Sequence, residues 1–230
     1  MAILETEFDN EKELENWVKA NIEDFLPGAI CIPGCRILTI SGKGGVPDAF
    51  AFNLAEHEWY VIEAELLSHG VWPHIAEQIV RFVVATQNPE TRRIIRDKLF
   101  EYLLTTEKLE SAAKDLDTTL ERLLQQIELY IEGVDPQFVI FINNTNQDLQ
   151  DMVYALSAPT KIFEVRKFVV NGSPEYFAPH RNSPVVETEP GEQSGLSAGT
   201  KFSKPWMSPR LKRQSTDSNA IEPTTTRSFM

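Results

Sequence analysis

The chain has 230 residues, 42% of them hydrophobic and 24% charged, which is typical of one globular domain with an additional segment. No apolar run approaches the ~18 residues of a membrane span, and the acidic N-terminal sequence is unlike a secretory signal, so we expect a cytoplasmic protein with no membrane partner. The net charge of −12 argues against indiscriminate binding to nucleic acid, which depends on Lys and Arg neutralising phosphates.

The N-terminal part of the sequence predicts a helix followed by a meander of three strands. Residues 11–26 repeat apolar side chains at helical spacing, Asn10 is a suitable N-cap, and Pro27-Gly28 ends the helix. Ser41–Gly45 is a turn rich in glycine, and its Lys43 could contact a backbone phosphate. The three strands are expected at residues 29–32 or 36–40, then 46–54, and then 59–66.

The middle and C-terminal parts predict several helices and two further strands. Asn88-Pro89 is typical of a helix start, and Thr118 with Glu121 has the spacing of a capping box. The expected helices are about 71–86, 89–104, 118–131 and 146–156. The nearly all-apolar segment 137–142 suits a strand inside a sheet, and 161–170 alternates as a last strand. The order α-β-β-β-α-helices-β-α-β predicts an α/β domain with a mixed central sheet flanked by helices.

The composition changes near Arg181, which predicts a domain over residues 1–182 and a disordered tail over 183–230. Residues 181–230 hold seven Lys and Arg and five Asp and Glu, a net charge of +2, so residues 1–180 carry −14. The basic segment 201–213 contains one Trp and one Phe. It could contact phosphates and stack on a base, dock on a partner, or simply add solubility.

Three carboxylates are predicted to converge at one end of the meander. Pro47-Asp48 opens the second strand, and Glu63 and Glu65 lie on the same face of the third because side chains alternate along a strand. If the register brings Asp48 alongside, the three side chains offer the oxygen ligands that Mg²⁺ or Mn²⁺ binds. The alternative is that Glu63 and Glu65 are the solvent face of an edge strand.

Three nearby basic side chains could join this acidic site. His69 and His74 flank the start of the following helix, where they could bind phosphate, act as acid or base, or bind the metal. A histidine at a helix start is also commonly a cap or a surface residue. Arg81 could contact phosphate or form a salt bridge with a neighbouring Glu.

The order of a helix, a meander carrying Pro47-Asp48 and Glu63-x-Glu65, and a second helix resembles the PD-(D/E)XK nuclease superfamily, within it the NucS-like single-domain branch. The resemblance covers about residues 1–178 and implies a restriction-endonuclease-like core. It implies that Asp48 and Glu63 bind the metal and that Gln78 of the following helix faces the site.

The resemblance also implies a carboxylate from the first helix, either Glu11 or Glu15, and Glu11 fits the pattern better. Glu65 occupies the position where the family commonly has Lys. A carboxylate there would bind metal or accept a proton from water, and would contribute no positive charge.

The implied function is a metal-dependent endonuclease that hydrolyses phosphodiester bonds, in DNA rather than RNA, with Asp48, Glu63, Glu65 and Gln78 as catalytic residues. Cutting both strands of a duplex would suit a homodimer, because one site then serves each strand. The resemblance leaves both outcomes open, since some restriction enzymes with this fold use Glu at that position while other relatives that lost the Lys have become non-catalytic. The alternative is therefore an inactive nuclease-fold module that binds nucleic acid or a protein partner.

Overall fold

The computed structural model describes residues 3–178 and 184–188. The strands are β1 Ile3–Thr6, β2 Ile30–Pro33, β3 Ile37–Leu38, β4 Gly44–Gly45, β5 Ala49–Asn53, β6 Glu58–Glu65, β7 Gln137–Ile142, β8 Thr160–Glu164, β9 Arg166–Val170, β10 Ser173–Phe177 and β11 Val186–Glu187. The helices are α1 Glu11–Asn21, α2 Ala76–Thr86, α3 Pro89–Thr105, α4 Leu109–Asp115, α5 Leu123–Gly133 and α6 Gln147–Ala155.

A six-stranded mixed sheet in the order β11-β8-β7-β6-β5-β2 is the centre of the fold. Strands β2, β5 and β6 form an antiparallel meander, and β7 and β8 then continue the sheet in parallel. Strands β1, β9 and β10 form a separate antiparallel sheet, and β3 pairs with β4. The prediction of an α/β fold with a mixed central sheet flanked by helices is confirmed.

The two faces of the central sheet belong to two separate apolar cores, because successive side chains of a strand point to opposite faces. On one face, Trp59 and Val61 of β6 pack with apolar residues of α2 to α6. On the other face, Tyr60 and Ile62 pack with α1 and the turn that follows it. Helices therefore cover both faces, which suits the continuous apolar sequence of β7.

Two helix starts confirm the asparagine caps predicted from the sequence, and a third helix is capped in the same way. The side chains of Asn10, Asn88 and Asn146 each accept a hydrogen bond from a backbone N–H in the first turn, at 3.0, 3.1 and 2.9 Å. The helix expected to reach residue 26 ends earlier, since α1 stops at Asn21 and a 3₁₀ turn follows over Ile22–Asp24.

Other local predictions were wrong, because tertiary contacts decide those boundaries. The helix expected from Thr118 begins at Leu123 after a 3₁₀ turn, and the side chain of Thr118 does not cap it. The alternating segment 161–170 is two strands in two sheets, β8 and β9, separated by the buried Val165. The two segments considered for the first strand, 29–32 and 36–40, contain β2 and β3, but only β2 joins the central sheet.

The C-terminal end of the described chain adds an edge strand. Strand β11 pairs antiparallel with β8, so the sheet extends past residue 182, where the composition places the domain boundary. The remainder of the predicted tail, including the basic segment 201–213, lies outside the described residues. Within the part of the chain that the structure describes, no helix has the length and apolarity needed to cross a membrane.

Candidate active site

Asp48 and Glu63 lie next to each other where β5 begins and β6 nears its end. Ala49 pairs with Ile62 in the ladder, so the next pair along is Asp48 with Glu63. The backbone N–H of Asp48 donates to Glu63 Oε2 at 3.3 Å, and the N–H of Ala64 donates to Asp48 Oδ2 at 2.8 Å. The register therefore brings together the two carboxylates that the sequence pairs.

Glu63 and Glu65 are buried, with only 3% and 1% of their surface exposed. Strand β6 lies inside the sheet between β5 and β7, so the edge-strand alternative for these two residues is wrong. Burial raises the pKa of Glu63 well above its ordinary value, and the charges of Asp48 and Glu65 raise it further. Burial also raises the pKa of Asp48, to about 6.

Helix α2 supplies the one side-chain hydrogen bond that Glu63 accepts among the described residues. Gln78 Nε2 donates to Glu63 Oε1. Gln78 therefore lies where the sequence places it, against the carboxylate of the inner strand. A neutral amide donor holds the orientation of Glu63 without neutralising its charge.

Glu65 meets the two histidines that follow β6. His69 Nδ1 lies 3.2 Å from Glu65 Oε2, and His74 Nε2 lies 3.5 Å from Glu65 Oε1. One ligand atom from each of the three residues falls within 4.8 Å of the others, so this group can hold a metal ion. Burial raises the pKa of Glu65, and the hydrogen bond with His69 opposes that shift only in part.

The turn after β6 positions both histidines over the end of the strand. His69 ends a 3₁₀ turn, and His74 lies in a π-helical turn, Val71–Ile75, that leads into α2. Gly70 joins the two turns with φ +84°, a conformation that favours glycine, and a Cβ there would approach Pro73 Cγ to 3.1 Å. The chain is thus turned back sharply enough for both imidazoles to reach Glu65.

Both candidate glutamates of α1 lie near the site. Glu11 Oε2 is 3.1 Å from His69 Nδ1. Glu15 is nearly buried and pairs with Lys12 and Lys19. Burial raises the pKa of Glu15, but the hydrogen bonds from both lysines outweigh that effect and lower it.

The two lysines are site residues that the sequence reasoning missed. The charge of Lys19 lowers the pKa of Asp48, and the charge of Asp48 raises that of Lys12, so both ammonium groups lie close enough to act on this carboxyl. The spacing of Lys12, Glu15 and Lys19 at i−3 and i+4 on one helix face is the signal that could have found them.

The remaining predicted contacts to phosphate are not part of this cluster. Arg81 pairs with Glu77 one turn earlier on α2, at 2.5 Å, which is the salt-bridge alternative. Lys43 is an exposed residue of the turn between β3 and β4. An open cavity of about 510 Å³ is instead lined by two carboxylates, two imidazoles and one amide, namely Glu11, Glu65, His69, His74 and Gln78.

Comparisons of the chain with protein-family models, with curated proteins and with solved structures found no match. Membership of the PD-(D/E)XK superfamily therefore stays a prediction. What the protein does has to be inferred from the chemistry of the residues at the end of β5 and β6.

Proposed function

We propose that this protein is a metal-dependent nuclease with a restriction-endonuclease-like core that hydrolyses phosphodiester bonds in DNA. The observation that carries the proposal is the close approach of Asp48, Glu63 and Glu65 in a largely buried position. Carboxylates buried together repel one another and lose hydration, which costs stability unless a cation compensates. Among the described residues, neither Asp48 nor Glu63 forms an ion pair with Lys, Arg or His.

The topology around the site supports the proposed family. Helix α1 precedes an antiparallel meander of β2, β5 and β6, and β7 then lies parallel to β6 after the intervening helices. The order of elements is the one on which the resemblance to PD-(D/E)XK nucleases rests.

The three carboxylates fit Mg²⁺ or Mn²⁺, since such hard ions bind carboxylate oxygens and keep several waters. Asp48, Glu63 and Glu65 would hold the ion, which when bound would polarise a phosphodiester and activate a water. Gln78 would hold the carboxylate of Glu63 in one orientation through its hydrogen bond.

Lys12 and Lys19 supply positive charge to a site whose core is acidic. The side chain of Lys12 is 65% exposed and that of Lys19 is 33% exposed, so both can turn towards an incoming phosphate. Their pairing with Glu15 holds the two ammonium groups on the same side of α1. Such local charge helps to explain how a chain with a net charge of −12 could approach DNA.

A second candidate function is a non-catalytic module with the same fold. Glu65 stands where the family commonly has Lys, and its carboxylate contacts His69 and His74. A site of this kind could bind a nucleic acid or a protein partner without cleaving phosphodiesters. The two candidates differ in whether divalent ions bind at Asp48 and Glu63.

A cleavage assay separates the two functions. The full chain is incubated with single-stranded, duplex and branched DNA, and with RNA, in the presence of Mg²⁺ or Mn²⁺. Wild type is compared with Asp48→Asn, Glu63→Gln and the control Glu77→Gln, which removes an exposed carboxylate next to Gln78.

We expect wild type and Glu77→Gln to cleave DNA, and Asp48→Asn and Glu63→Gln to lose cleavage while circular dichroism shows an unchanged fold. Absence of cleavage by wild type on every substrate, together with absence of calorimetrically detectable Mg²⁺ or Mn²⁺ binding, would overturn the nuclease proposal. Cleavage that survives in Asp48→Asn would place the active site elsewhere.

A further inference from the structure

Glu65, His69 and His74 form a group of possible ligands whose chemistry differs from that of Asp48 and Glu63. Two of its three donors are imidazole nitrogens, whereas Asp48 and Glu63 offer oxygen alone. Mg²⁺ binds few nitrogen ligands, while imidazole with one carboxylate suits Zn²⁺ and related transition-metal ions. The two halves of the site therefore favour different metals.

Two distances within this group are close to those between the ligands of one metal ion. Zn–N and Zn–O bonds of about 2.0–2.1 Å place neighbouring ligand atoms of a tetrahedron roughly 3.3 Å apart. The observed separations are 3.2 Å from His69 Nδ1 to Glu65 Oε2 and 3.5 Å from His74 Nε2 to Glu65 Oε1. With one ligand atom taken from each residue, the three atoms lie within 4.8 Å of one another, so side-chain rotation would bring them onto a single ion.

The carboxylate of the group is held by the fold before any ion arrives. Glu65 is 1% exposed, and the backbone N–H of the nearby Leu67 donates to Asn143 Oδ1 at 2.8 Å, which fixes the chain just after β6. The side chains of His69 and His74 are 36% and 50% exposed, so they border the open cavity through which an ion can enter.

Glu11 provides a further oxygen at the edge of this group. The Oε2 atom of Glu11 lies 3.1 Å from His69 Nδ1, close to the same tetrahedral spacing. Glu11 is the first residue of α1. Glu11 is not one of the three residues whose ligand atoms lie within 4.8 Å of one another, so it would have to move to become a fourth ligand, and otherwise water takes that position.

A competing explanation is that both imidazoles are protonated and only pair with the carboxylates. Ion pairing satisfies His69 and His74 without any metal, and it predicts that added Zn²⁺ does not compete for them. Metal binding predicts the reverse, because the ion replaces the proton on each coordinating nitrogen.

We propose that Glu65, His69 and His74 bind a transition-metal ion of the Zn²⁺ class, with the fourth position open to water or to Glu11. Binding of this ion does not depend on whether the protein is a nuclease, although Glu65 is also one of the carboxylates proposed to hold Mg²⁺. If both ions bound together, Glu65 would be shared between a hard ion held with Asp48 and Glu63 and a borderline ion held with the two histidines.

The first test is titration of the metal-free full chain with Co²⁺, followed in the visible spectrum, and with Zn²⁺ by calorimetry. We expect one ion per chain, Co²⁺ bands typical of four ligands, and displacement of Co²⁺ by Zn²⁺. Affinity should fall at least tenfold in His69→Asn and in His74→Asn, and binding should disappear in the double variant.

His57→Asn is the matched control. His57 lies in the turn between β5 and β6 with φ 58°, a conformation that Asn tolerates well, so this variant should fold and bind Co²⁺ like wild type. Nitrogen-15 spectra of labelled wild type give a second readout that needs no variant, since Zn²⁺ should shift the imidazole signals of two of the four histidines.

Wild type that neither develops Co²⁺ bands nor takes up Zn²⁺, or uptake that survives in the double variant, would overturn this assignment. The variant Asp48→Asn distinguishes failure of the proposed Zn²⁺ site from failure of the nuclease proposal. That variant should lose Mg²⁺-dependent cleavage but keep the Co²⁺ spectrum, because Asp48 is not a ligand of the imidazole site.

Discussion

Arg92 of α3 and Glu63 of β6 are both buried charged residues, and their surroundings differ completely. The guanidinium of Arg92 donates to the carbonyl oxygens of Thr86, Ile131, Glu132 and Val134 at 2.7–3.2 Å, and to Asp135 Oδ1 at 2.5 Å. Glu63 instead lies beside the like charges of two other carboxylates.

The difference separates a structural charge from a functional one. Arg92 joins the C-terminal end of α2 to that of α5, satisfying carbonyl groups that a helix leaves without partners. Glu63 gains only two neutral hydrogen bonds and suffers repulsion, so it costs stability in the metal-free protein. Under the proposed function, this cost is offset by the metal ion that Glu63 would bind.

The largest expected effect is the loss of stability when Arg92 is replaced. Arg92→Met should lower the free energy of unfolding by about 3–5 kcal/mol, because four carbonyl groups lose their donor in a buried position. Urea unfolding followed by fluorescence measures this change. Arg92→Lys is the control: its single ammonium cannot reach every acceptor, so an intermediate loss is expected. An Arg92→Met variant as stable as wild type would contradict the structural role.

Glu63→Gln should act in the opposite direction on stability while it removes activity. Cleavage should fall at least about 100-fold, which corresponds to roughly 2.7 kcal/mol of transition-state stabilisation. The metal-free variant should be as stable as wild type or more stable, by up to ~1 kcal/mol, since a neutral amide replaces a buried acid among like charges. A clear loss of stability would mean that Glu63 supports the fold as Arg92 does.

The contribution of Asp48 to the stability of the metal-free protein should fall as pH rises through the acid range. Asp48 has a pKa of about 6 in the folded chain against 3.8 ordinarily, so between these values the folded state binds more protons than the unfolded state. The contribution of Asp48 is then lost between about pH 4 and 6, by about 2 kcal/mol once its partial exposure is allowed for. Urea unfolding of wild type and Asp48→Asn across this range checks the prediction, and identical pH profiles would contradict it.

The smallest expected effect concerns the amide of α2. Gln78→Ala should weaken Mg²⁺ or Mn²⁺ binding about tenfold, because Glu63 loses the hydrogen bond that orients it. Calorimetric titration measures the affinity, and the neighbouring Glu77→Gln is the control. Gln78→Glu should not weaken binding of the ion in this way, because the added carboxylate repels Glu63 most strongly in the metal-free state and a bound cation relieves that repulsion. Unchanged affinity in Gln78→Ala would show that Gln78 does not orient the ligand.

Much of the fold could be predicted from the sequence where local chemistry decides it. The apolar run of β7 was located to the residue, and the asparagine caps of α1, α3 and α6 follow from side-chain oxygens that reach the first turn. Alternation along β6 placed Glu63 and Glu65 on one face because a strand repeats every two residues.

Boundaries set by distant partners could not be predicted in this way. The chain turns from β8 to β9 at Val165 although the sequence pattern continues unchanged, since alternation carries no information about which sheet a strand joins. Strand β11 has a sequence typical of a tail and is ordered by pairing with β8.

The sequence alone determined that Glu63 and Glu65 share one face of β6 and that Asp48 precedes β5, because side chains alternate along a strand. The register that sets Asp48 beside Glu63 was decided by the tertiary structure. Only the tertiary structure decided that Glu11 reaches His69, that Lys12 and Lys19 surround Glu15, and that β6 lies inside the sheet. Those contacts join residues far apart in the chain, and their geometry depends on how α1 packs across the sheet. Burial then makes the carboxylates of Asp48, Glu63 and Glu65 costly to ionise, since removal from water raises the energy of each charge.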